Sequence, residues 1–327
     1  MSKREKKLAP EVAQKAQKIE VHKKKVKFWW IRRLVQLTSF TLFNAGIWGL
    51  GPWPLVLPIL VYFDSSTKTV AGSFELFEYM LSEAVMPWIA LASILLFTIL
   101  IGRATCGWIC PLGFIQDMLT HLKVGRWQPS LRTHNSLKNM KYGVLLVVLL
   151  VSGSVAAAMV SNPASGQQLK DSLGKAGQGP YSAVCPLGTL FVVIPKLPLA
   201  WARILPPASD ITWDSFTKTL PALLPSLLVV RLILLLVFLI GSIYLPRFWC
   251  LYVCPLGAFM ALINRFSFLG LKREPVRCTK CRDCVERCPM RVRILDLPFE
   301  KFNDADCILC LDCKDACAPN AIKLKVP

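Results

Sequence analysis

Two cysteine runs near the C-terminus constrain this chain more than any other feature. They read Cys278-x2-Cys281-x2-Cys284-x3-Cys288-Pro289 and Cys307-x2-Cys310-x2-Cys313-x3-Cys317. This is the bacterial spacing for a pair of [4Fe–4S] clusters, written twice. Three closely spaced thiolates wrap three corners of a cubane, and the fourth cysteine of each run ligates the other cluster. The spacing therefore assigns Cys278, Cys281, Cys284 and Cys317 to one cluster and Cys307, Cys310, Cys313 and Cys288 to the second. A zinc site competes with this reading, but zinc ribbons pair two Cys-x-x-Cys knuckles and do not use such runs. A disulfide framework competes too, but clusters need reduced thiols, which places this end of the chain in a reducing compartment.

The rest of the chain is unlike a soluble ferredoxin. It is 54% hydrophobic and carries a formal net charge of +19. Those two properties conflict in a soluble globule and agree in a membrane protein with basic loops on one side. Nucleic-acid binding is disfavoured because the charge is split among loops that flank apolar segments. Residues 1–27 hold ten Lys/Arg and three Glu and read as a solvated basic arm able to lie on anionic lipid. Phe28-Trp29-Trp30 with Arg32-Arg33 reads as an interfacial belt. Four spans are expected: one within 31–63, broken by Gly51-Pro52-Trp53-Pro54, then 84–102, 142–160 and 223–245. The Lys/Arg bias puts both termini and the cysteine runs on the cytoplasmic side of the inner membrane. The expected fold is an α-helical membrane protein: a four-span bundle of two repeated hairpins over 28–271, followed by an α+β two-cluster bacterial-ferredoxin-like domain over 272–327.

The hairpins are related by an internal repeat. Arg103-x-x-Cys106-x3-Cys110-Pro111-Leu112-Gly113 recurs 144 residues later as Arg247-x-x-Cys250-x3-Cys254-Pro255-Leu256-Gly257. Parallel repeats of this kind relate two halves of a bundle, which would bring Cys106, Cys110, Cys250 and Cys254 towards one another. Proline suits a first helical position, so Cys110 and Cys254 are expected at helix N-termini, where thiol pKa falls. Small cysteines that merely pack are the plain alternative. The functional one is a reactive dithiol or an additional metal or cluster site.

Other candidates are weaker. Cys185-Pro186-Leu187-Gly188 repeats the Cys-Pro-Leu-Gly turn on an expected outer loop, without a partner there, and reads best as a buried thiol. Arg231 sits inside the fourth span, where an ionisable group is a functional suspect, although snorkelling competes. Glu75, Glu78 and Glu83 lie on an acidic outer loop and read as solvated side chains, as part of an interfacial helix, or as proton acceptors for a quinol. His22, His121 and His134 lie in basic polar stretches, and no haem site is expected. Neither a GxGxxG nor a P-loop is present.

The spans, both Cys-x3-Cys-Pro segments and the eight cluster cysteines together resemble the membrane ferredoxin-type quinol dehydrogenases of periplasmic nitrate reduction (NapH-type). The C-terminal half of the nitrous-oxide reductase accessory protein (NosR-type) and the cytochrome-oxidase assembly factor (CcoG/RdxA-type) share this core. The resemblance covers nearly all of residues 28–327. Cys317-Ala318-Pro319 departs from the family's Cys-Pro ending without removing a ligand. The resemblance implies electron transfer between the quinone pool and partner redox subunits. Two other functions compete: a thiol-dependent copper reductase or metal-centre assembly factor, since soft thiolates select Cu(I), and a membrane anchor with structural clusters.

Overall fold

The computed structural model describes residues 26–43, 55–60, 70–120, 122, 129–194 and 226–326. The basic arm of residues 1–25, His22 and His121 lie outside the described residues, as does much of the segment expected to complete the first span.

Helices dominate, and their ends follow the local chemistry. After α1 (Val26–Phe43) come α2 (Ser73–Ser82), α3 (Trp88–Ile101), the short α4 (Ala104–Trp108) and α5 (Pro111–Leu119). The long α6 (Leu131–Ser161) starts at Ser130, whose hydroxyl accepts from the Thr133 amide, a standard N-cap. Helix α7 (Pro163–Leu173) starts on Asn162, whose side chain accepts from Ala164 N and Ser165 N, with proline at its first position. Then follow α8 (Lys175–Gln178), a single turn α9 (Pro186–Gly188), a π-turn over Thr189–Val193, α10 (Ser226–Tyr244), the short α11 (Phe248–Tyr252) and α12 (Pro255–Ile263). The chain closes with β3 (Gly270–Arg273), α13 (Asp283–Glu286), α14 (Asp312–Ala316) and β4 (Ile322–Lys325).

Two helices, Arg132–Ser161 of α6 and Ser226–Tyr244 of α10, are long and apolar enough to cross a membrane. Leu146, Val147 and Leu150 on α6 and Val230, Ile233 and Leu236 on α10 are exposed. The core helix of a soluble protein would bury such side chains, whereas lipid accepts them. Four spans were expected. Helix α3 has 14 residues and covers about 21 Å, short of a hydrocarbon core of about 30 Å. It is confined between Pro87 and Gly102, which takes the left-handed φ of +63°. A Cβ at Gly102 would strike the Asn264 side chain, so glycine is required there.

The chain forms two compact units. The first comprises Met1–Phe40, Leu95–Phe114 and Met260–Pro327. In it β3 and β4 pair antiparallel, Gly270 opposite Lys325 and Arg273 opposite Ile322. Its core holds Leu271, Met290, Ile294, Phe302 and Ile308. The second comprises Thr41–Ile94 and Ile115–Phe259. It contains a two-residue parallel pair, β1 (Val56–Leu57) with β2 (Ala71–Gly72). Its helices α6 and α7 meet where Gly166 lies against the Met159 backbone, leaving no room for a side chain. Residues 73–82, expected as part of an acidic loop, are helical here and bury Glu75 and Glu78. They are therefore not a solvated surface. Phe74 of this helix stacks on Phe77 one turn on and meets Tyr181 edge-on.

Candidate iron–sulfur sites and the duplicated cysteine turns

The two C-terminal cysteine runs have the same backbone. Lys280, Arg282 and Arg291 adopt positive φ in the first, and Leu309, Leu311 and Asn320 do so at matching places in the second. Equivalent hydrogen bonds repeat as well: Val285 N to Arg282 O with Lys314 N to Leu311 O, and Arg291 N to Cys288 O with Asn320 N to Cys317 O. Non-glycine residues in the left-handed region cost roughly a kcal/mol or more each. They alternate here with the ligand positions and turn successive amides to one side, a nest that suits an anionic centre.

The thiols group in two sets. Cys284 has Cys317, Cys281 and Cys278 as electrostatic neighbours, and Cys313 has Cys310, Cys288 and Cys307, with Cys284 beyond them. Cys288, Cys307, Cys310 and Cys313 line one cavity with Met290, Val292, Ile308 and Leu309. Burial pushes the Cys284 thiol to about 11, Cys288 to about 12 and Cys307 to about 11. A thiolate in such apolar surroundings needs a cation at the sulfur, and iron is one that thiolates bind. The sets differ in access: Cys281 of the first is exposed, whereas in the second Cys288, Cys307 and Cys310 are half-buried and Cys313 is buried.

The second loop is clamped within its own unit. Arg32 Nη1 donates to Asp312 Oδ2 at 2.8 Å, and Trp108 Nε1 donates to Leu309 O at 2.9 Å. Arg103 is fully buried; its Nη1 donates to Ala305 O at 3.1 Å and to Asp306 Oδ1 at 3.2 Å. Asn264 Nδ2 donates to Asp304 O and Cys307 O, while its Oδ1 accepts from Arg103 N. At Gly107 a Cβ would collide with the Ile308 carbonyl oxygen.

The Cys-x3-Cys-Pro turns are also one structure made twice. Ile109 N and Cys110 N donate to Thr105 O, and 144 residues later Val253 N and Cys254 N donate to Trp249 O. Pro111 and Pro255 each begin a helix. Cys106 and Cys110 fall in the first unit, Cys250 and Cys254 in the second, and all four are buried. Cys106 Sγ lies 3.8 Å from Met260 Sδ. At the matching place Gln116 Nε2 donates to Cys250 Sγ at 3.2 Å. Each first cysteine thus meets the helix downstream of the other copy. Arg247, fully buried, forms a two-point pair with Asp117 through Nε and Nη2.

Several expectations change. Cys185 is buried, in line with its reading as a buried thiol, but it has partners: it is an electrostatic neighbour of Tyr181 together with Cys254 and Cys250. Tyr181 in turn accepts a hydrogen bond from Trp249 Nε1 at 2.7 Å. Arg231 does not snorkel: it is buried and its Nε donates to Ala183 O. His134, expected in a polar stretch, is buried with Nδ1 2.8 Å from the Tyr252 hydroxyl. Glu78 accepts from Tyr181 N at 3.0 Å and Ser182 N at 3.1 Å, and burial pushes its carboxyl up to about 7. Glu83 is partly exposed and pairs with Lys170. Sequence reasoning missed Asp117, Asp306, Asn264 and Gln116. An acid for each buried repeat arginine was a usable signal, but nothing local says which acid.

One chain thus carries loops that gather thiols in two sets and helices with exposed apolar faces, the features of a ferredoxin-type electron-transfer protein. A 4Fe-4S binding domain family model matches residues 84–129 and again 227–274, the two copies of the cysteine turn. The chain is similar to ferredoxin-type proteins of other organisms. An uncharacterized protein of Methanocaldococcus jannaschii is 27% identical over 80% of this chain and 89% of its own length. The ferredoxin-type protein NapH of Haemophilus influenzae is 25% identical over 90% of this chain and 88% of its own. The methylamine utilization ferredoxin-type protein MauN of Methylorubrum extorquens is 26% identical, covering 80% and 75%. No solved structure matches the chain.

Proposed function

We propose that this protein is a membrane electron-transfer subunit that passes electrons between the quinone pool and partner redox proteins. The observation that carries this reading is the pair of matched left-handed cysteine loops in a chain with two membrane-length apolar helices. Cys278, Cys281, Cys284 and Cys317 hold one [4Fe–4S] cluster, and Cys307, Cys310, Cys313 and Cys288 hold the second. Such clusters supply one-electron transfer when bound, at a potential set by burial and hydrogen bonding. The chain's own part is placement. Arg32, Arg103, Trp108 and Asn264 fix the second loop, while the exposed Cys281 leaves the first set open to a soluble partner. Cys106, Cys110, Cys250 and Cys254 are redox-active or metal-binding groups between quinone and clusters. Both termini face the cytoplasm. Purified protein, with its native partner present, should show cluster bleaching on addition of a reduced quinol analogue; an unchanged spectrum would reject this function.

One contact favours a second reading. Cys106 Sγ beside Met260 Sδ pairs a thiol with a thioether, a soft set that selects Cu(I), as a thiol-dependent copper reductase would need. Replacing Cys106, Cys110, Cys250 and Cys254 by Ser would then abolish copper reduction with both C-terminal clusters intact. Surviving copper reduction rejects it.

A further inference from the structure

Three buried cysteines of the second unit, Cys185, Cys250 and Cys254, share one neighbour, Tyr181. Cys185 belongs to neither matched domain segment, yet its turn is built like theirs. Cys254 precedes α12 with proline at the first helical position, and Cys185 precedes α9 in the same way. Ala258 N donates to Cys254 O, and Thr189 N donates to Cys185 O. The segment thus presents a third Cys-Pro-Leu-Gly turn to the thiols of the second.

The sulfurs already receive hydrogen bonds. Gly257 N donates to Cys254 Sγ at 3.2 Å, and Gln116 Nε2 donates to Cys250 Sγ at 3.2 Å. In the C-terminal region Ala321 N makes the same kind of bond to Cys317 Sγ, at 3.3 Å. Amide donors aimed at sulfur stabilise a thiolate or a cluster-bound sulfur over a neutral thiol.

A buried positive charge on α10 faces the same segment. Arg231 is 6% exposed. Its Nε donates to the carbonyl of Ala183, two residues from Cys185. Its Nη2 is buried with no hydrogen-bond partner among the described residues, and none of the ion pairs there includes it. A buried guanidinium without an anion is strongly destabilising. A cubane core on three thiolates is a net anion and would answer that charge. Among the described residues no three His, Cys, Asp or Glu side chains are arranged to hold a single metal ion. The two C-terminal cysteine sets share that property, and cluster chemistry spreads its thiolates around a core.

We propose that Cys185, Cys250 and Cys254 ligate an iron–sulfur cluster inside the second unit, with Arg231 as its buried counter-cation. This deepens the reading of the cysteine turns as metal-binding groups and makes Cys185 a ligand. The test uses full-length protein purified without oxygen, with iron, zinc, copper and acid-labile sulfide counted and electron paramagnetic resonance recorded after reduction. Two C-terminal clusters alone give about eight iron per chain; a third raises the count by up to half. Cys185→Ser should remove that excess and one resonance, leaving the C-terminal signals in place. Arg231→Gln should keep the iron but lower the potential of the same resonance, and Arg231→Lys should restore it. Unchanged iron, sulfide and resonance in Cys185→Ser protein would overturn the proposal, as would zinc or copper in place of the excess iron. Cys284→Ser and Cys313→Ser proteins separate this failure from failure of the two-cluster reading: each should lose a C-terminal signal while keeping the one that depends on Cys185.

Discussion

Glu78 offers a quantitative test of how the second unit is held together. Its carboxyl is fully buried and accepts from two backbone amides and the Ser182 hydroxyl. Those bonds favour the charged form, but burial outweighs them and lifts the pKa from 4.5 to about 7. At about 1.4 kcal/mol per tenfold change, the folded chain disfavours the charged carboxylate by about 3 kcal/mol relative to the unfolded chain. The sign follows from linkage. A raised pKa contributes stability that is complete below pH 4.5 and is lost as pH rises through 7. Glu78→Gln keeps the shape and removes the titration. Its amide must face the Ser182 N–H, an unsatisfied contact costing about 1 kcal/mol. Apparent melting of the detergent-solubilised full chain should then show the wild type more stable at pH 4 and the variant more stable at pH 8, with the curves crossing between. Parallel curves over that range would refute the assignment of this titration to Glu78.

Other predictions address the clamps and the clusters. Arg247→Met should destabilise the chain by roughly 3–5 kcal/mol because Asp117 is left buried and unpaired, and adding Asp117→Leu should recover much of that in denaturant titrations. Gly107→Ala puts a methyl into the Ile308 carbonyl; it should cost about 1–3 kcal/mol and perturb the spectrum of only the cluster proposed for Cys307 and Cys310. Trp249→Phe removes the donor to Tyr181 and should cost about 1 kcal/mol, measured by thermal shift, with the C-terminal cluster spectra unchanged.

The likeness of the two cysteine runs was legible because it is local: three of the four cysteines of each run come from one short loop. The repeat was legible for the same reason, since Arg103 and Arg247 sit at identical offsets before their cysteines. Their partners were not. Asp117 and Asp306 lie 130 and 203 residues away, and no local pattern marks an acid as the answer to a distant arginine. The neighbours of Cys185 were not legible because hydropathy sorts a chain into spans and loops by length. A polar segment that packs back among helices, as Tyr181 to Thr189 does, looks like an outer loop to that rule. Glu78 failed in the same way: an acidic stretch reads as solvated until its backbone partners are seen.

The meeting of each cysteine turn with the other copy's downstream helix has a consequence for how the gene can be divided. A fragment beginning after residue 120 keeps Arg247 and Cys250 but lacks Asp117 and Gln116. A fragment ending before residue 260 keeps Arg103 and Cys106 but lacks Asn264, Asp306 and Met260. Each half therefore carries a buried cation whose satisfaction is encoded in the other, which is the logic of two subunits exchanging arms across a twofold axis. Halves expressed apart should be insoluble alone and recover when co-expressed. In that sense the single chain behaves as a tethered pair, and its linker fixes at one to one the ratio of two parts that cannot stand separately.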